Sequence, residues 1–328
     1  MSQSRTMPLT VVVLDAISEA RANEMRALLP EGFGLTHARA TGEPHLMEII
    51  RDADFAIAGQ VSVSAAVLQA AKRLKLLHKW GVGVDNLDLA AARRLGIRVA
   101  RTTGSNALPV AEFSIGLMLL ALRSMAYGHE QLRQGHWRGP GELSVPARQL
   151  SGKVVGLVGL GAIGSAVARL LRGFGCHILY TKRQRLPASE EALLGVHYTA
   201  LNDLLAQSDV VSLHCPLTAK TTGLIDRNAL QRMKSTAVLI NVARGGVVVE
   251  ADLVEALQMR VIQAAAMDVF AIEPLPGDSP LLGLDNLVLT PHLAASTADT
   301  FEPTVRRMFE TMRRVACGEP IPEQDVVV

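Results

Sequence analysis

Residues 154–164 read Val-Val-Gly-Leu-Val-Gly-Leu-Gly-Ala-Ile-Gly. A short apolar run, typical of a buried parallel strand, leads into the pattern Gly159-x-Gly161-x-x-Gly164, and a helical pattern follows over residues 165–174. Gly159 permits the tight turn, Gly161 lets the backbone approach a pyrophosphate, and Gly164 lets the helix pack closely on the strand. Strand, turn and helix in this order predict a dinucleotide-binding unit, with a glycine-rich turn that binds no ligand as the alternative.

The segment after the next predicted strand indicates which dinucleotide binds. A carboxylate that holds the ribose 2′-hydroxyl of NAD is expected there, about 20 residues past the first glycine. The sequence instead reads Thr181-Lys182-Arg183-Gln184-Arg185, and no carboxylate appears until Glu190. Cations and a hydroxyl bind a 2′-phosphate, which a carboxylate would repel. The segment therefore favours NADP(H) over NAD(H), with a solvated basic turn as the alternative.

Length and composition indicate two domains of α/β type. A chain of 328 residues is long for a single hydrophobic core. Hydrophobic residues make up 49% and aromatic residues 4%, which suits α/β packing. The net charge is +2 and the basic residues are spread along the chain, so no nucleic-acid partner is expected.

The cysteines and the N-terminus bear on the compartment. Cys176, Cys215 and Cys317 show no CxxC or metal-ligand spacing, so we expect buried thiols in a reducing compartment and no metal. Residues 1–8 are polar and lack the apolar core of a signal peptide, and no stretch reaches the length of a membrane span. We therefore expect a soluble, cytoplasmic protein without a membrane partner.

Strand-like and helix-like segments alternate along the chain, which predicts parallel sheets with crossover helices. A first α/β unit covers residues 9–100, and a long apolar helix over 106–123 follows it. The second series contains six predicted strands, near residues 154–158, 176–180, 209–213, 237–241, 262–267 and 287–289. Six such strands make a doubly wound, dinucleotide-binding sheet. A final helix near 298–316 is too isolated to form a domain and should pack on one of the two units.

Three loops of the second series follow predicted strands, at the edge where open α/β sheets bind ligands. Each loop carries one functional side chain: Arg244, Glu273 or His292. The loops cover residues 241–246, 268–274 and 290–295. These side chains suit the reduction of a carbonyl group next to a carboxylate, with hydride supplied by a nicotinamide. The histidine would give the proton, the glutamate would orient the imidazole and favour its protonated form, and the arginine would bind the carboxylate and polarise the carbonyl.

Each of these residues also has a plainer interpretation. His292 after Thr-Pro could be structural, Glu273 before Pro274 could lie in a surface turn, and Arg244 could bind only cofactor phosphate. Their occurrence at successive strand ends beside a nucleotide-binding motif favours the catalytic interpretation.

With these motifs the chain resembles the D-isomer-specific 2-hydroxyacid dehydrogenases, the family of phosphoglycerate, glyoxylate/hydroxypyruvate and D-lactate dehydrogenases. The loops of Arg244, Glu273 and His292 match the family's catalytic motifs in order and in spacing. The resemblance covers nearly the whole chain and includes residues 79–86, 106, 110–112, 159–164 and 214–218. It implies two Rossmann/flavodoxin-like, doubly wound parallel-sheet domains with the active site in the cleft between them.

The resemblance also implies roles for domains and residues. A substrate-binding domain would cover residues 1–103, completed by 294–328, and an NAD(P)-binding Rossmann domain would cover 104–293. The family is usually dimeric, so a homodimer is expected. Substrate contacts would come from the N–H groups of Gly81, Val82 and Gly83, from Asn106 and from Arg244. Cofactor contacts would come from Gly159, Leu160, Gly161, Ala162, Ile163, Gly164, Thr181, Lys182, Arg183, Cys215, Pro216, Thr221, Val242, Ala243, Asp268 and His292.

The chain departs from the family pattern in two places. Lys182 stands where the NAD-using members have Asp, which is similar to NADPH-using glyoxylate/hydroxypyruvate reductases. The chain ends at Val328, so we expect no regulatory C-terminal domain and no feedback by serine. Lys79, which precedes the 81–83 loop, could contact a phosphate or a second carboxylate, or could be a solvated strand end.

The sequence thus predicts an NADP(H)-preferring oxidoreductase that interconverts 2-ketoacids and D-2-hydroxyacids, with glyoxylate or hydroxypyruvate as the favoured substrate. A 2-ketogluconate-type reductase and an NAD-linked dehydrogenase are the alternatives within the family. A nucleotide-sensing binding protein, like the corepressors that share this fold, is the alternative of another class, because the fold alone does not establish turnover. The complete set of Arg244, Glu273 and His292 argues against that alternative.

Overall fold

The computed structural model describes residues 8–137 and 146–328. The prediction that residues 1–8 are not a signal peptide concerns residues that lie almost wholly outside this part of the chain. The chain folds into two compact units. The first ends at Asn106 and is completed by Thr297–Val328, and the second is Ala107–Ser296. The assignment of substrate binding to one unit and cofactor binding to the other stays a prediction.

The first unit is built on five parallel strands. They are β1 (Leu9–Ala16), β2 (Phe33–Ala38), β3 (Phe55–Ala58), β4 (Leu76–Lys79) and β5 (Arg98–Arg101). Their order in the sheet is β2-β1-β3-β4-β5. The helices that connect them are α1 (Glu19–Arg26), α2 (Glu43–Ile50), α3 (Ala65–Ala70) and α4 (Leu89–Leu95).

Capping residues set the helix boundaries of this unit. The side chains of Ser18, Ser64 and Asp88 each accept a hydrogen bond from the N–H three residues further on, which satisfies a free donor of the first turn. Helix α4 ends at Gly96, whose backbone is left-handed with φ of +68°. Serine before a helical segment and glycine after one are the usual sequence signals of a helix start and a helix end.

The last helix of the chain, α12 (Ala298–Ala316), belongs to the first unit. Its Val305, Met308 and Phe309 lie on one face and are buried in a single cluster with Val11 and Phe55 of the sheet. Cys317 follows this helix and is exposed, so the prediction of buried thiols is wrong there.

The second unit is built on seven parallel strands. They are β6 (Val154–Val158), β7 (His177–Thr181), β8 (Val196–Tyr198), β9 (Val210–Leu213), β10 (Val238–Asn241), β11 (Ala264–Met267) and β12 (Leu287–Leu289). The order is β12-β11-β10-β9-β6-β7-β8, so the direction of winding reverses between β6 and β9. In doubly wound sheets, ligands bind at the carboxyl ends of the strands beside such a reversal. The prediction of two doubly wound parallel-sheet domains is confirmed.

The second sheet has one strand more than the six that were predicted. The additional strand, β8, has only three residues, and His197 and Tyr198 are exposed. It therefore lacks the apolar run that marks a buried strand in a sequence. The other six predicted strands are present, with ends that shift by up to two residues.

The described part of the second unit contains seven α-helices. They are α5 (Ala107–Arg123), α6 (Met125–Arg133), α7 (Ala162–Arg172), α8 (Ala188–Leu194), α9 (Leu201–Gln207), α10 (Arg227–Arg232) and α11 (Glu250–Gln258). Helix α5 contributes Val110, Leu117 and Met118 to the buried core of the unit. Within the described ranges no single helix is long and apolar enough to cross a membrane, and α5 and α6 meet that criterion only as a pair bent by 67°.

Gly156, in the middle of β6, offers a test of the close packing of helix on sheet. A Cβ there would overlap the side chain of Ser208 and lie 2.8 Å from Cγ of Leu204. We expect Gly156→Ala to lower the free energy of unfolding by about 1–3 kcal/mol, because overpacking forces neighbouring side chains to move. Chemical unfolding followed by circular dichroism measures this change.

The matched control is Gly34→Ala in β2, because no heavy atom lies within 4 Å of a Cβ built there. This variant should be as stable as the parent, or more stable, since alanine costs less backbone entropy than glycine. Equal stability of both variants would show that the packing at β6 tolerates a methyl group.

Candidate active site

The glycine turn after β6 is closed on one side and open on the other. Gly159 has φ of +98°, and a Cβ on it would lie 2.7 Å from the backbone N of Cys215. A Cβ on Gly164 would overlap the carbonyl oxygen of Gly159. Gly161 faces open space, because no heavy atom lies within 4 Å of a Cβ built there. A ligand can therefore approach the backbone at Gly161.

Helix α7 begins in this turn and presents free donors. Its N-cap is Gly161, so no side chain accepts a hydrogen bond from the first turn. In the described part of the chain, no acceptor is bonded to the N–H groups of Ala162 and Ile163. Free N–H groups and the positive end of the helix dipole attract an anion. These residues fit the pyrophosphate of a nicotinamide dinucleotide.

The loop after β9 forms the wall next to the glycine turn. Oγ1 of Thr221 accepts the N–H of Thr218 at 2.8 Å and donates to the carbonyl oxygen of Pro216 at 2.6 Å, which fixes the loop. Burial raises the pKa of the Cys215 thiol to about 11. Cys215 is therefore a neutral, apolar surface in this wall and not a thiolate nucleophile.

The first residues of the basic segment after β7 lie beside the glycine turn or are exposed. The carbonyl oxygen of Thr181 accepts the N–H of Gly159 at 2.9 Å, and Nζ of Lys182 donates to the carbonyl oxygen of Leu160 at 3.2 Å. These contacts place Thr181 and Lys182 beside the glycine turn. Arg183 is exposed.

Arg185, in contrast, is neutralised within the fold. Its Nε and Nη2 each lie 2.8 Å from a carboxylate oxygen of Glu191, which also accepts the Tyr180 hydroxyl at 2.6 Å. The hydrogen bonds from Arg185 and Tyr180 outweigh burial and lower the pKa of Glu191 to about 2.

A pocket of about 390 Å³ lies beside Lys182. It is lined by Leu160, Ser165, Arg169, Lys182, Leu186, Glu190, Leu193 and Leu194. Arg169 adds a cation that was not predicted, and its spacing of four residues from Ser165 on α7 is the signal that was missed. Glu190 brings a carboxylate into the same pocket, where the sequence led us to expect only cations and a hydroxyl.

Arg244 lies in the loop after β10, and buried Asn241 fixes that loop. Oδ1 of Asn241 accepts the N–H of Ala243 at 3.0 Å, and Nδ2 donates to the carbonyl oxygen of Arg244 at 3.0 Å. A Cβ on Gly245 would overlap the backbone of Phe270, so the loops after β10 and β11 touch. Asn241 was not predicted, although an amide inside an apolar strand is a visible signal.

Glu273 and His292 meet at the ends of β11 and β12. Nδ1 of His292 lies 2.6 Å from Oε2 of Glu273, and Oε1 of Glu273 accepts the N–H of Phe270 at 2.9 Å. Burial acts to raise the pKa of Glu273, but the hydrogen bonds from His292 and Phe270 and the charges of His292 and Arg244 outweigh burial and lower it. The structure therefore brings the three predicted side chains together, with Glu273 as the anion.

Asp268, predicted near the nicotinamide, holds the loop that carries His292. Its carboxylate is fully buried and accepts the Thr290 hydroxyl at 2.6 Å and the N–H groups of Leu293 and Ala294 at 2.8 and 2.9 Å. The carbonyl oxygen of Asp268 accepts the N–H of His292 at 2.9 Å. His292 has a left-handed backbone with φ of +52°, which non-glycine residues adopt only when their surroundings impose it. The role of Asp268 in cofactor binding stays a prediction.

In the first unit, the 81–83 loop after β4 presents its N–H groups. The carbonyl oxygen of Gly81 accepts the N–H of Thr102 at 3.3 Å, and that of Val82 accepts Nη1 of Arg101 at 3.4 Å. Among residues 8–137 and 146–328, no acceptor is bonded to the N–H groups of Gly81, Val82 and Gly83. The loop therefore leaves a row of donors for an anionic group.

Two further predicted residues, Asn106 and Val242, have little of their side chains available to solvent or have a buried polar atom. Oδ1 of Asn106 is buried and has no hydrogen-bond partner within the described ranges, which suits a position near a ligand donor. Val242 is 8% exposed at the end of β10, so only its backbone is available to a cofactor.

Lys79, at the end of β4, is 6% exposed and is not a solvated strand end. Its Nζ donates to the carbonyl oxygen of Gly59 and, at 2.8 Å, to Oδ1 of Asn86. The carboxylate of Asp15 accepts the N–H groups of residues 59–61 from the other side. Lys79 thus stabilises the carboxyl edge of the first sheet.

Known proteins have a similar sequence or structure. The family model described as "D-isomer specific 2-hydroxyacid dehydrogenase, NAD binding domain" matches residues 115–294. The chain is 38% identical to the D-3-phosphoglycerate dehydrogenase of Mycobacterium leprae over 318 residues, which cover 97% of this chain and 59% of that protein. This chain therefore spans about three fifths of that relative.

Two other proteins are covered over most of their length. The glyoxylate reductase of Thermofilum pendens is 39% identical over 279 residues, which cover 84% of this chain and 82% of that protein. The structure of an NADPH-dependent glyoxylate/hydroxypyruvate reductase from Sinorhizobium meliloti, in complex with NADP and malonate, has a TM-score of 0.85 and 29% identity and covers 98% and 97% of the two chains.

The imidazole of His214, which follows β9 and has a buried Nδ1, predicts how stability depends on pH. Its Nε2 lies 2.9 Å from Oγ of Ser212, its Nδ1 has no partner in the described chain, and burial lowers its pKa from 6.5 to about 4. Between these pH values the unfolded chain binds a proton that the folded chain does not. Stability is therefore lost as pH falls from 6.5 towards 4.

We expect His214→Gln, which keeps a polar group but does not titrate, to reduce this pH dependence by up to about 1.4 kcal/mol per pH unit. Urea unfolding at a series of pH values between neutrality and the acid limit of the native state measures it. The control His197→Gln replaces an exposed imidazole and should keep the parent slope. An unchanged slope in His214→Gln would mean that the imidazole is protonated in the folded state.

Proposed function

The chain belongs to the D-isomer specific 2-hydroxyacid dehydrogenase family, and we propose that it reduces 2-ketoacids to D-2-hydroxyacids with NADPH as the preferred hydride donor. The observation that carries this proposal is the 2.6 Å contact between Nδ1 of His292 and the carboxylate of Glu273, with the charge of Arg244 acting on the same carboxylate. A general acid, the group that orients it and a cation are the set that carbonyl reduction next to a carboxylate requires.

His292 is the proton donor in this proposal. Because Nδ1 is held by Glu273, Nε2 carries the proton that passes to the carbonyl oxygen of the substrate. Glu273 stabilises the imidazolium before transfer, and Asp268 keeps the His292 loop in place. A reduced nicotinamide dinucleotide, held through its pyrophosphate at the glycine turn 159–164, would supply the hydride. In the oxidative direction, neutral His292 accepts the hydroxyl proton through Nε2.

Arg244 and the 81–83 loop bind the substrate in this proposal. The guanidinium of Arg244 pairs with the carboxylate and polarises the carbonyl oxygen. The free N–H groups of Gly81, Val82 and Gly83 donate to the carboxylate as well. Glyoxylate and hydroxypyruvate are the first substrates to test, because relatives of similar length are named as their reductases. A homodimer and a cytoplasmic location stay predictions.

The proposed preference for NADPH is supported by the residues around Lys182. Lys182, Arg183 and Arg169 place three cations near the end of β7, and Ser165 adds a hydroxyl to the same pocket. Glu190 opposes them with one carboxylate, so the local balance is positive. A positive balance favours a 2′-phosphate over a 2′-hydroxyl.

Steady-state oxidation of NADPH and of NADH tests the reaction, with glyoxylate, hydroxypyruvate, pyruvate and 2-ketogluconate as substrates. We expect turnover of at least one of them, and a kcat for His292→Asn that is about 10²- to 10⁴-fold lower, because the amide cannot give up a proton. KM should change little, since the substrate carboxylate binds elsewhere.

The control His177→Asn alters an exposed imidazole at the start of β7 and should keep the parent kcat. Unchanged turnover in His292→Asn would remove the proton-donor role. Tight cofactor binding by the parent without turnover of any 2-ketoacid would favour the nucleotide-sensing alternative.

Replacing Lys182 by alanine tests the choice of cofactor. We expect KM for NADPH to rise about 10- to 100-fold, as on loss of a charged hydrogen bond to phosphate, and KM for NADH to change less than about threefold. Arg185→Ala is the matched control from the same basic segment: because Glu191 neutralises Arg185, the ratio of the two KM values should stay as in the parent. A parent enzyme with equal or higher kcat/KM for NADH than for NADPH would contradict the proposed preference.

A further inference from the structure

Arg101 is a partly buried cation with no carboxylate partner among the residues that the structure describes. It is the last residue of β5 and lies beside the 81–83 loop, where its Nη1 donates to the carbonyl oxygen of Val82 at 3.4 Å. Its Nε is buried and has no hydrogen-bond partner among the residues that the structure describes. The one contact of the guanidinium in that part of the chain is therefore a long hydrogen bond to a neutral group.

Three other cations of the first unit have buried carboxylate partners. Arg307 makes two short contacts, of 2.7 and 2.8 Å, with the buried carboxylate of Asp325. Arg73 and Lys75 both lie within 3.4 Å of the buried carboxylate of Asp54. A buried charge costs free energy unless an opposite charge or a full set of hydrogen bonds compensates it. At Arg101, in contrast, no carboxylate of the described residues lies at salt-bridge distance, and the buried Nε has no hydrogen-bond acceptor among them.

We infer that Arg101 binds a second anionic group of the substrate, a carboxylate or a phosphate, next to the first carboxylate on the 81–83 loop. The planar guanidinium offers paired donors that match either group. This inference rests on the proposed function and narrows it: the preferred 2-ketoacids are those that carry a second anionic group further along the carbon chain.

A purely structural role for Arg101 would be to hold the 81–83 loop through Val82. Such a role does not need a charge, since any donor of suitable length can make the bond to the carbonyl oxygen. It would also affect every substrate equally, because the first carboxylate of all 2-ketoacids would meet the same loop. The two roles therefore predict different changes in kcat/KM when Arg101 is replaced. A structural role predicts the same change for substrates with one and with two anionic groups, and a binding role predicts a larger loss for those with two.

Two matched pairs of substrates make this comparison. Hydroxypyruvate and 3-phosphohydroxypyruvate differ only by the phosphoryl group, and pyruvate and oxaloacetate differ only by the second carboxylate. In the parent enzyme, with NADPH saturating, we expect kcat/KM to be at least about tenfold higher for the doubly anionic member of one pair. The pair that shows this preference identifies phosphate or carboxylate as the second group.

Arg101→Met removes the charge and keeps most of the length of the side chain. We expect it to lower kcat/KM for the doubly anionic substrate about 10- to 100-fold through KM, and to change the value for the partner substrate less than about threefold. Arg101→Lys, which keeps the charge, should recover part of the loss. Arg98→Met, at the exposed start of the same strand, should match the parent on all four substrates.

The failures of the two proposals are distinguishable. No turnover of any of the four substrates by the parent overturns the proposed function. Turnover without preference for either doubly anionic substrate, or an equal loss on both members of a pair in Arg101→Met, overturns only the role of Arg101.

Discussion

The buried carboxylate of Asp268 is the interaction on which the site of the second unit depends. A carboxylate removed from water is stable only with several hydrogen-bond donors, and here one hydroxyl and two N–H groups of the His292 loop supply them. The loop supplies these donors at the end of β11, and His292 within it has a left-handed backbone. The hydrogen bonds of the Asp268 carboxylate thus help to hold the imidazole of His292 beside Glu273.

A similar constraint operates at the carboxyl edge of the first sheet. The segment 59–61 is held by its N–H groups to Asp15 and by the carbonyl oxygen of Gly59 to Lys79 and Asn86. The backbone of residues 59–61, directly after β3, binds the carboxylate of Asp15 from β1 and the ammonium group of Lys79 from β4. These contacts fix the ends of the three strands relative to one another. The 81–83 loop leaves the sheet from this rigid edge, and rigid support is what a row of backbone donors needs to bind an anion.

Much of the fold and of the second unit's site could be predicted because the signals are local. The glycine spacing after an apolar run, the cap at Ser18 and the stop at Gly96 act within a few residues of chain. Arg244, Glu273 and His292 could be predicted because each follows a strand, and parallel strands bring such ends to one edge. Two features were missed because they depend on partners distant in the chain: Arg169 beside Lys182, and the burial of Lys79 against Gly59. Asn241 was missed although its partners are local. The strand β8 was missed because three residues carry no periodic signal.

The cations show why composition alone could not assign these roles. Lys79, Lys182, Arg101 and Arg185 all follow or end a parallel strand, and in the sequence they look alike. In the structure, Arg185 is matched by the carboxylate of Glu191, and Lys79 by two oxygen acceptors, so their charges serve the fold. Lys182 and Arg101 have hydrogen bonds to backbone carbonyl oxygens and no carboxylate at salt-bridge distance in the described chain. A partly buried cation is stabilised by an anion, so an incomplete set of partners is a criterion for a site where an anionic ligand can bind. The same physical criterion supports both proposals, the cofactor phosphate at Lys182 and the second anionic group of the substrate at Arg101.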